Sequence, residues 1–147
     1  MKDDHIGRYI SIAYRSNVTL LNKKLSNYGI GRGQYPFLIA LYKKEGICQK
    51  SLCDFYNIDK AAAGRAIKKL VDKGFIIKKT DPNDKRRQLL YLTPKSKDFK
   101  KEFIEILKSN EKKMKKDLTE EEIEVFLKVI KKICFNLGVE STSLKEE

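Results

Sequence analysis

The chain has 147 residues, 41% hydrophobic and 35% charged, and its 32 Lys and Arg against 20 Asp and Glu give a formal net charge of +12. The apolar share supports one core, which excludes wholesale disorder and fits a single domain over 1–147. No apolar run approaches the ~20 residues that cross a bilayer, and the opening MKDDHIGRYI lacks a signal-peptide apolar region. The odd set Cys48, Cys53 and Cys134 makes no disulfide framework, so a reduced, cytoplasmic setting is expected, with no membrane partner. The charge excess is concentrated: residues 31–96 hold 15 basic and 6 acidic side chains, whereas residues 97–147 hold 12 of each. A compositional lysine bias would spread evenly; a concentrated excess is the footprint of a nucleic-acid surface.

Taken in order, Ile6 to Tyr28 reads as one long helix with a stripe of Ile6, Ile10, Ala13, Asn17, Leu20/Leu21 and Tyr28. Gly29, Gly31 and Gly33 break the chain. Gln34 to Lys44 resumes a helical pattern, with Pro36 tolerable in its first turn and Gly46 beyond its end. Gln49 to Tyr56 is a short third helix ended by Asn57. A helix then begins at the N-cap Asp59, buries Ala63, Ala66, Ile67, Leu70 and Val71, and turns Lys60, Gly64, Arg65, Lys68 and Asp72 outward before Gly74 ends it. A short helix, a tight turn and a basic helix make a helix-turn-helix.

Phe75–Ile77 and Leu89–Leu92 read as strands, joined by the turn Asp81-Pro82-Asn83-Asp84 with Lys85, Arg86 and Arg87 at its tip. Thr93 caps a further helix whose first residue is Pro94, with a stripe of Phe99, Phe103, Ile106/Leu107, Asn110, Met114 and Leu118. Thr119-Glu120-Glu121-Glu122 is a capping box that opens a last helix carrying Ile123, Phe126/Leu127, Ile130, Ile133/Cys134 and Leu137 up to Gly138. The fold class expected is mainly α with a small β-wing: a winged lobe over 34–93, and helices over 6–30 and 95–138 forming a dimer stem. The end helices show more apolar surface than a small lobe can bury, and a two-fold pair of chains is the economical way to cover it.

These motifs resemble the MarR/SlyA family of winged-helix regulators over nearly the whole chain. The residues that carry the likeness are Gly31-Arg32-Gly33-Gln34 before an apolar helix, Gln49-Lys50-Ser51-Leu52 followed by Ile58 to Arg65, the wing Asp81-Pro82-Asn83-Asp84-Lys85-Arg86, and Leu92-Thr93. One departure is Ser96, where the family usually has glycine; it concerns how the next helix begins. The resemblance implies a homodimer with interlocked terminal helices, two winged lobes on a pseudo-palindromic duplex, usually repression, and release by a small aromatic or anionic compound.

Among candidate site residues, Arg65 on the outer face of the basic helix can fork onto guanine O6 and N7 or grip a phosphate. Lys60, Lys68 and Lys69 are point charges suited to phosphates, or plain solvated charges. Ala61 and Ala62 allow close approach to a thymine methyl, or only fill space. Gly64, which costs about 1 kcal/mol in a helix, fits close approach to DNA or is a tolerated weak spot. In the wing, Arg86, flanked by Lys85 and Arg87, suits a narrow minor groove. Asp84 is read as a turn residue and, from its resemblance to the family's carboxylate that orients the wing arginine, as the partner of Arg86; Asp81 is read as turn chemistry alone. Arg15 and Tyr35 are the candidate effector-pocket residues, against a reading as surface arginine and core tyrosine. The cysteines read as structural thiols. With His5 the one histidine, no metal or other cofactor is expected.

A sequence-specific dimeric DNA-binding regulator is therefore the leading expectation. The alternative is a general basic nucleic-acid-binding protein without operator specificity, for which +12 alone would suffice. An enzyme is not expected: no glycine-rich phosphate loop, metal cluster or nucleophile–base pairing is present.

Overall fold

The computed structural model describes residues 4–140 and consists of six helices and three short strands. Helix α1 spans Ile6–Leu25. The continuation expected to Tyr28 is instead a separate 3₁₀ turn, Ser26–Tyr28, closed by Gly29 at φ 80°. Only the C-terminal half of α1 meets the core, through Val18, Leu21 and Leu25, whereas Ile6, Tyr9 and Tyr14 stand exposed. Of the expected stripe only Leu21 is buried; Ile10 and Asn17 are half-buried, and Ile6, Ala13, Leu20 and Tyr28 are exposed.

Helix α2 (Tyr35–Lys43) starts after Gln34, whose buried Oε1 accepts the Gly31 N–H at 3.0 Å and so closes the glycine turn. Helix α3 (Gln49–Tyr56) ends on Asn57 in the left-handed region. Helix α4 (Lys60–Asp72) is capped by the Asp59 carboxylate, which accepts the Ala62 N–H at 2.9 Å. At its other end the Gly74 N–H reaches Val71 O and the Phe75 N–H reaches Leu70 O, a Schellman closure that glycine at φ 79° permits.

The sheet is antiparallel in the order β1-β3-β2, with β1 at Ile47–Cys48, β2 at Ile76–Asp81 and β3 at Asp84–Leu92. Three features differ from expectation, the first being that β2 starts at Ile76 and runs on to Asp81, past the expected Phe75–Ile77. The two-residue strand β1, paired Ile47 to Leu90 and Cys48 to Leu89, was not foreseen because two residues carry no periodicity. In addition, β3 begins five residues before its apolar run, so Lys85, Arg86 and Arg87 lie on a strand and the turn is only Pro82-Asn83. That outer half of the hairpin projects clear of the core. Apart from Asp81 its residues are exposed, so it needs no alternation of apolar and polar residues, and the pattern that marks a strand is absent.

Helices α5 (Pro94–Met114) and α6 (Glu120–Asn136) follow, each with its threonine cap; Thr119 and Glu122 complete the capping box. One continuous core joins Leu21 and Leu25 of α1, Phe37, Leu38 and Leu41 of α2, Ile67 and Leu70 of α4, Leu90 and Leu92 of β3, and Phe103 of α5. No helix among the described residues is long and apolar enough to cross a membrane.

Tyr42 ties α2 to α5: its hydroxyl donates to Ser96 O at 2.6 Å, and burial pushes its phenol up to about 12. A phenol held protonated in the fold adds stability that is complete below its unfolded value near 10 and is lost as pH rises toward 12. Tyr42→Phe should cost about 1 kcal/mol at neutral pH and should flatten the fall in urea midpoint between pH 10 and 12. An unchanged alkaline profile would remove Tyr42 as its source.

Candidate nucleic-acid interface

Helix α4 presents its predicted faces. Ala63, Ile67 and Leu70 are fully buried, whereas Lys60, Ala61, Arg65, Lys68 and Lys69 are exposed and Ala62 and Gly64 half-buried. Among the described residues Lys60, Arg65, Lys68 and Lys69 form no ion pair, so their charges face water uncompensated. An arginine left without an acidic partner keeps its whole donor fork for an external acceptor.

The wing distributes its carboxylates differently from the sequence reading. Asp81, only 8% exposed, accepts the Asn83 N–H at 2.9 Å and pairs with Arg87 Nε at 3.6 Å. Asp84 is exposed, and its carboxylate accepts the Arg86 backbone N–H at 3.0 Å. Asp81 therefore has both the turn role and the arginine, and Asp84 holds the turn. The reason is the two-residue turn, which brings Asp81 onto β2 opposite the start of β3, where a side chain reaches across the hairpin. Arg87 is thereby anchored, while Lys85 and Arg86 have no ion-pair partner among the described residues.

Wing and helices meet at a cleft of about 770 Å³ whose lining includes Lys50, Lys60, Arg86, Arg87 and Gln88. Lys50, in the first turn of α3, was not singled out from sequence; a basic residue at the start of the first helix of a helix-turn-helix was the available signal. Cys48 also lines this cleft. Burial pushes its thiol up, but the Ser51 hydroxyl 3.2 Å away and the Arg87 charge outweigh that and leave it below the ordinary thiol range. Cys53 is buried, and burial raises its thiol. The three thiols are free and not alike: Cys53 fits the structural reading, and Cys48 is the more ionisable of these two.

A second cavity, about 720 Å³, lies between α1 and the winged lobe, and both Arg15 and Tyr35 line it. Tyr14, Arg32 and Tyr56 join them and were not named from sequence, because only folding brings positions 14, 32 and 56 together. Burial and then the neighbouring Tyr35 push the Tyr56 phenol up to about 12; burial and then Tyr14 raise Tyr35. The cavity thus offers neutral phenols and two guanidiniums. Among the described residues no group of His, Cys, Asp and Glu could hold a metal ion.

Nothing in the packing around Gly64 requires a glycine. A Cβ there would lie 3.4 Å from Gln49 Nε2, an ordinary contact, and Gln49 itself reaches Lys60 O at 3.4 Å across the turn. Gly64→Ala should therefore raise stability by up to about 1 kcal/mol, read as urea midpoint. Duplex affinity should change less than about twofold; a tenfold loss would mean that the backbone at Gly64 touches DNA.

Comparison with known proteins places this geometry. A sequence model of the MarR family matches residues 30–87. The HTH-type transcriptional regulator YybA of Bacillus subtilis is 36% identical over 90 residues, 61% of this chain and 60% of that protein. The regulator BilQ of Clostridium symbiosum is 36% identical over 95 residues, 63% of this chain and 66% of that protein. The chain thus spans less than two thirds of the length of these curated relatives. Solved structures match almost end to end. A MarR transcriptional regulator from Methanosarcina mazei is 34% identical with a TM-score of 0.82, covering 92% of this chain and 98% of that one. A MarR family regulator from Listeria monocytogenes, crystallised with a 26mer DNA, is 32% identical with a TM-score of 0.85, covering 93% and 90%. With its winged helix-turn-helix and its shared helical frame, the chain belongs to the MarR family of transcriptional regulators.

Proposed function

We propose that the chain works as a homodimer that binds a pseudo-palindromic DNA duplex in a sequence-specific way. The lobe over 34–93 reads the DNA, and the helices over 6–30 and 95–138 pair the two copies. The observation that carries this reading is the uncompensated basic surface shared by α4 and the wing. Arg65 projects from the one and Arg86 from the other, and the cleft between helices and wing adds Lys50 and Lys60 beside one carboxylate, Asp54. In this arrangement Arg65 enters the major groove, Lys60, Lys68 and Lys69 face phosphates, and Arg86 occupies the flanking minor groove. Arg87, held by Asp81, stiffens the wing. The DNA carried by the Listeria relative supports DNA as the partner by analogy.

The regulator acts as a repressor, and a small aromatic or anionic ligand in the cavity of Arg15 and Tyr35 releases it. The support is chemical: two arginines and three tyrosines line a space that suits a flat body with one acidic end.

Selection of duplexes from a random pool should yield half-sites about 10 bp apart, centre to centre. On the selected duplex Arg65→Ala should lose about 1–3 kcal/mol and relax one position, whereas Lys68→Ala should weaken all sequences evenly and reduce the salt slope by about 1. If both variants bind as wild type across a salt titration, α4 is not the reading helix. A steep salt slope with no preference among sequences would favour the general binder instead.

A further inference from the structure

The exit of α4 is fastened, carbonyl by carbonyl, to the first turn of α5. Lys73 O accepts from Lys95 Nζ at 2.9 Å. Gly74 O accepts from Thr93 Oγ1 at 2.5 Å. Phe75 O accepts from Ser96 Oγ at 2.5 Å and from the Thr93 N–H at 3.2 Å. Thr93 Oγ1 also accepts the Ser96 N–H at 3.2 Å, so the donors are linked to one another. Ser96 is fully buried, and its own carbonyl accepts from Tyr42, which brings α2 into the joint. Lys95 Nζ lies 4.3 Å from the Phe75 ring centroid, and on the far side Lys73 Nζ donates to the Gly29 carbonyl, in the turn that ends α1.

Three consecutive carbonyls bound by one four-residue segment tie residues 73–75 to α5, so a large change in their torsions strains or breaks these bonds. The Phe75 bond is the most expensive to break, because the serine hydroxyl it engages is out of reach of water. Domain motions need a few residues that absorb changes in φ and ψ, and this connection is not such a place. Its tightness has a scale. A play of about 5° over the ~30 Å length of α5 moves one end by roughly 3 Å, close to the ~3.4 Å rise of a base pair.

We propose that Ser96 is a positioning residue whose buried hydroxyl locks the exit of α4 to α5, so that recognition helix and stem helix turn as one body and the stem sets the half-site spacing. Ser96 touches no DNA and acts through Phe75. The proposal rests on the dimeric DNA-binding reading above.

The test takes the duplex selected by wild type and varies its half-site spacing by one and two base pairs. Wild type should lose at least about tenfold at one base pair off the optimum, whereas Ser96→Gly and Ser96→Ala should bind all spacings within about threefold of one another. Hydrogen exchange supplies a readout without DNA: in the variants the Gly74, Phe75 and Thr93 amides should exchange at least about tenfold faster, with the rest of α5 unchanged. Should neither Ser96 variant fold, Lys95→Met loosens the same joint from its exposed side. A variant with the sharp wild-type spacing profile overturns the proposal whatever the exchange shows. If wild type has no spacing preference at all, the regulator reading fails. The exchange comparison then decides the joint alone: faster amides uphold it, and unchanged ones overturn it.

Discussion

Helix α6 carries Ile123, Phe126, Leu127, Ile130 and Ile133 at helical spacing, with Leu137 just past its end, yet no residue of it is buried within the chain. Helices in proteins draw most of their stability from packing an apolar face, and the 17 residues of α6 bury none of theirs. Phe126 is 61% exposed, Phe135 65% and Leu137 77%, and Ile6, Tyr9 and Tyr14 of α1 are exposed with them. An apolar surface of this extent on both terminal helices is the constraint on which everything else depends, since monomeric proteins rarely leave such patches open. A second copy that covers them would also fix where the two basic helices stand relative to each other.

That geometric demand gives meaning to how the winged lobe is attached. The lobe does not hang from the stem by a linker; Leu21 and Leu25 of α1 and Phe103 of α5 share its core. The carbonyls at the exit of α4 end on side chains of α5, and Tyr42 brings α2 to the same point. In the reading proposed here, a ligand entering between α1 and the lobe at Arg15 and Tyr35 would press on a wall of this one body. Small displacements there would then reach the DNA-facing side chains undiminished, because packed cores switch between arrangements and do not deform smoothly.

Much of this was legible before folding. Caps announced themselves chemically: Asp59, Thr93 and Thr119, each expected as an N-cap, each accept a first-turn N–H. The inward positions of α4 followed from its period, and the outward arginine from what remained. Other features left no trace in the sequence. The early start of β3 is silent because a strand in water on both faces has no alternation. The division of labour between Asp81 and Asp84 depends on which turn forms, and the same four residues fit either assignment. Tyr14, Arg32 and Tyr56 share a cavity wall only in three dimensions. Ser96 stood out as a departure from the family pattern, but nothing in one dimension tells that its hydroxyl would meet the carbonyl of Phe75.

Whether a second copy covers the terminal helices is the central question. Sedimentation equilibrium of the free protein, followed by dilution into the nanomolar range, answers it most directly. A particle of twice the chain mass throughout, with helix content unchanged on dilution, is what buried terminal helices require. A folded single chain that keeps α6 helical in the absence of a partner would contradict it.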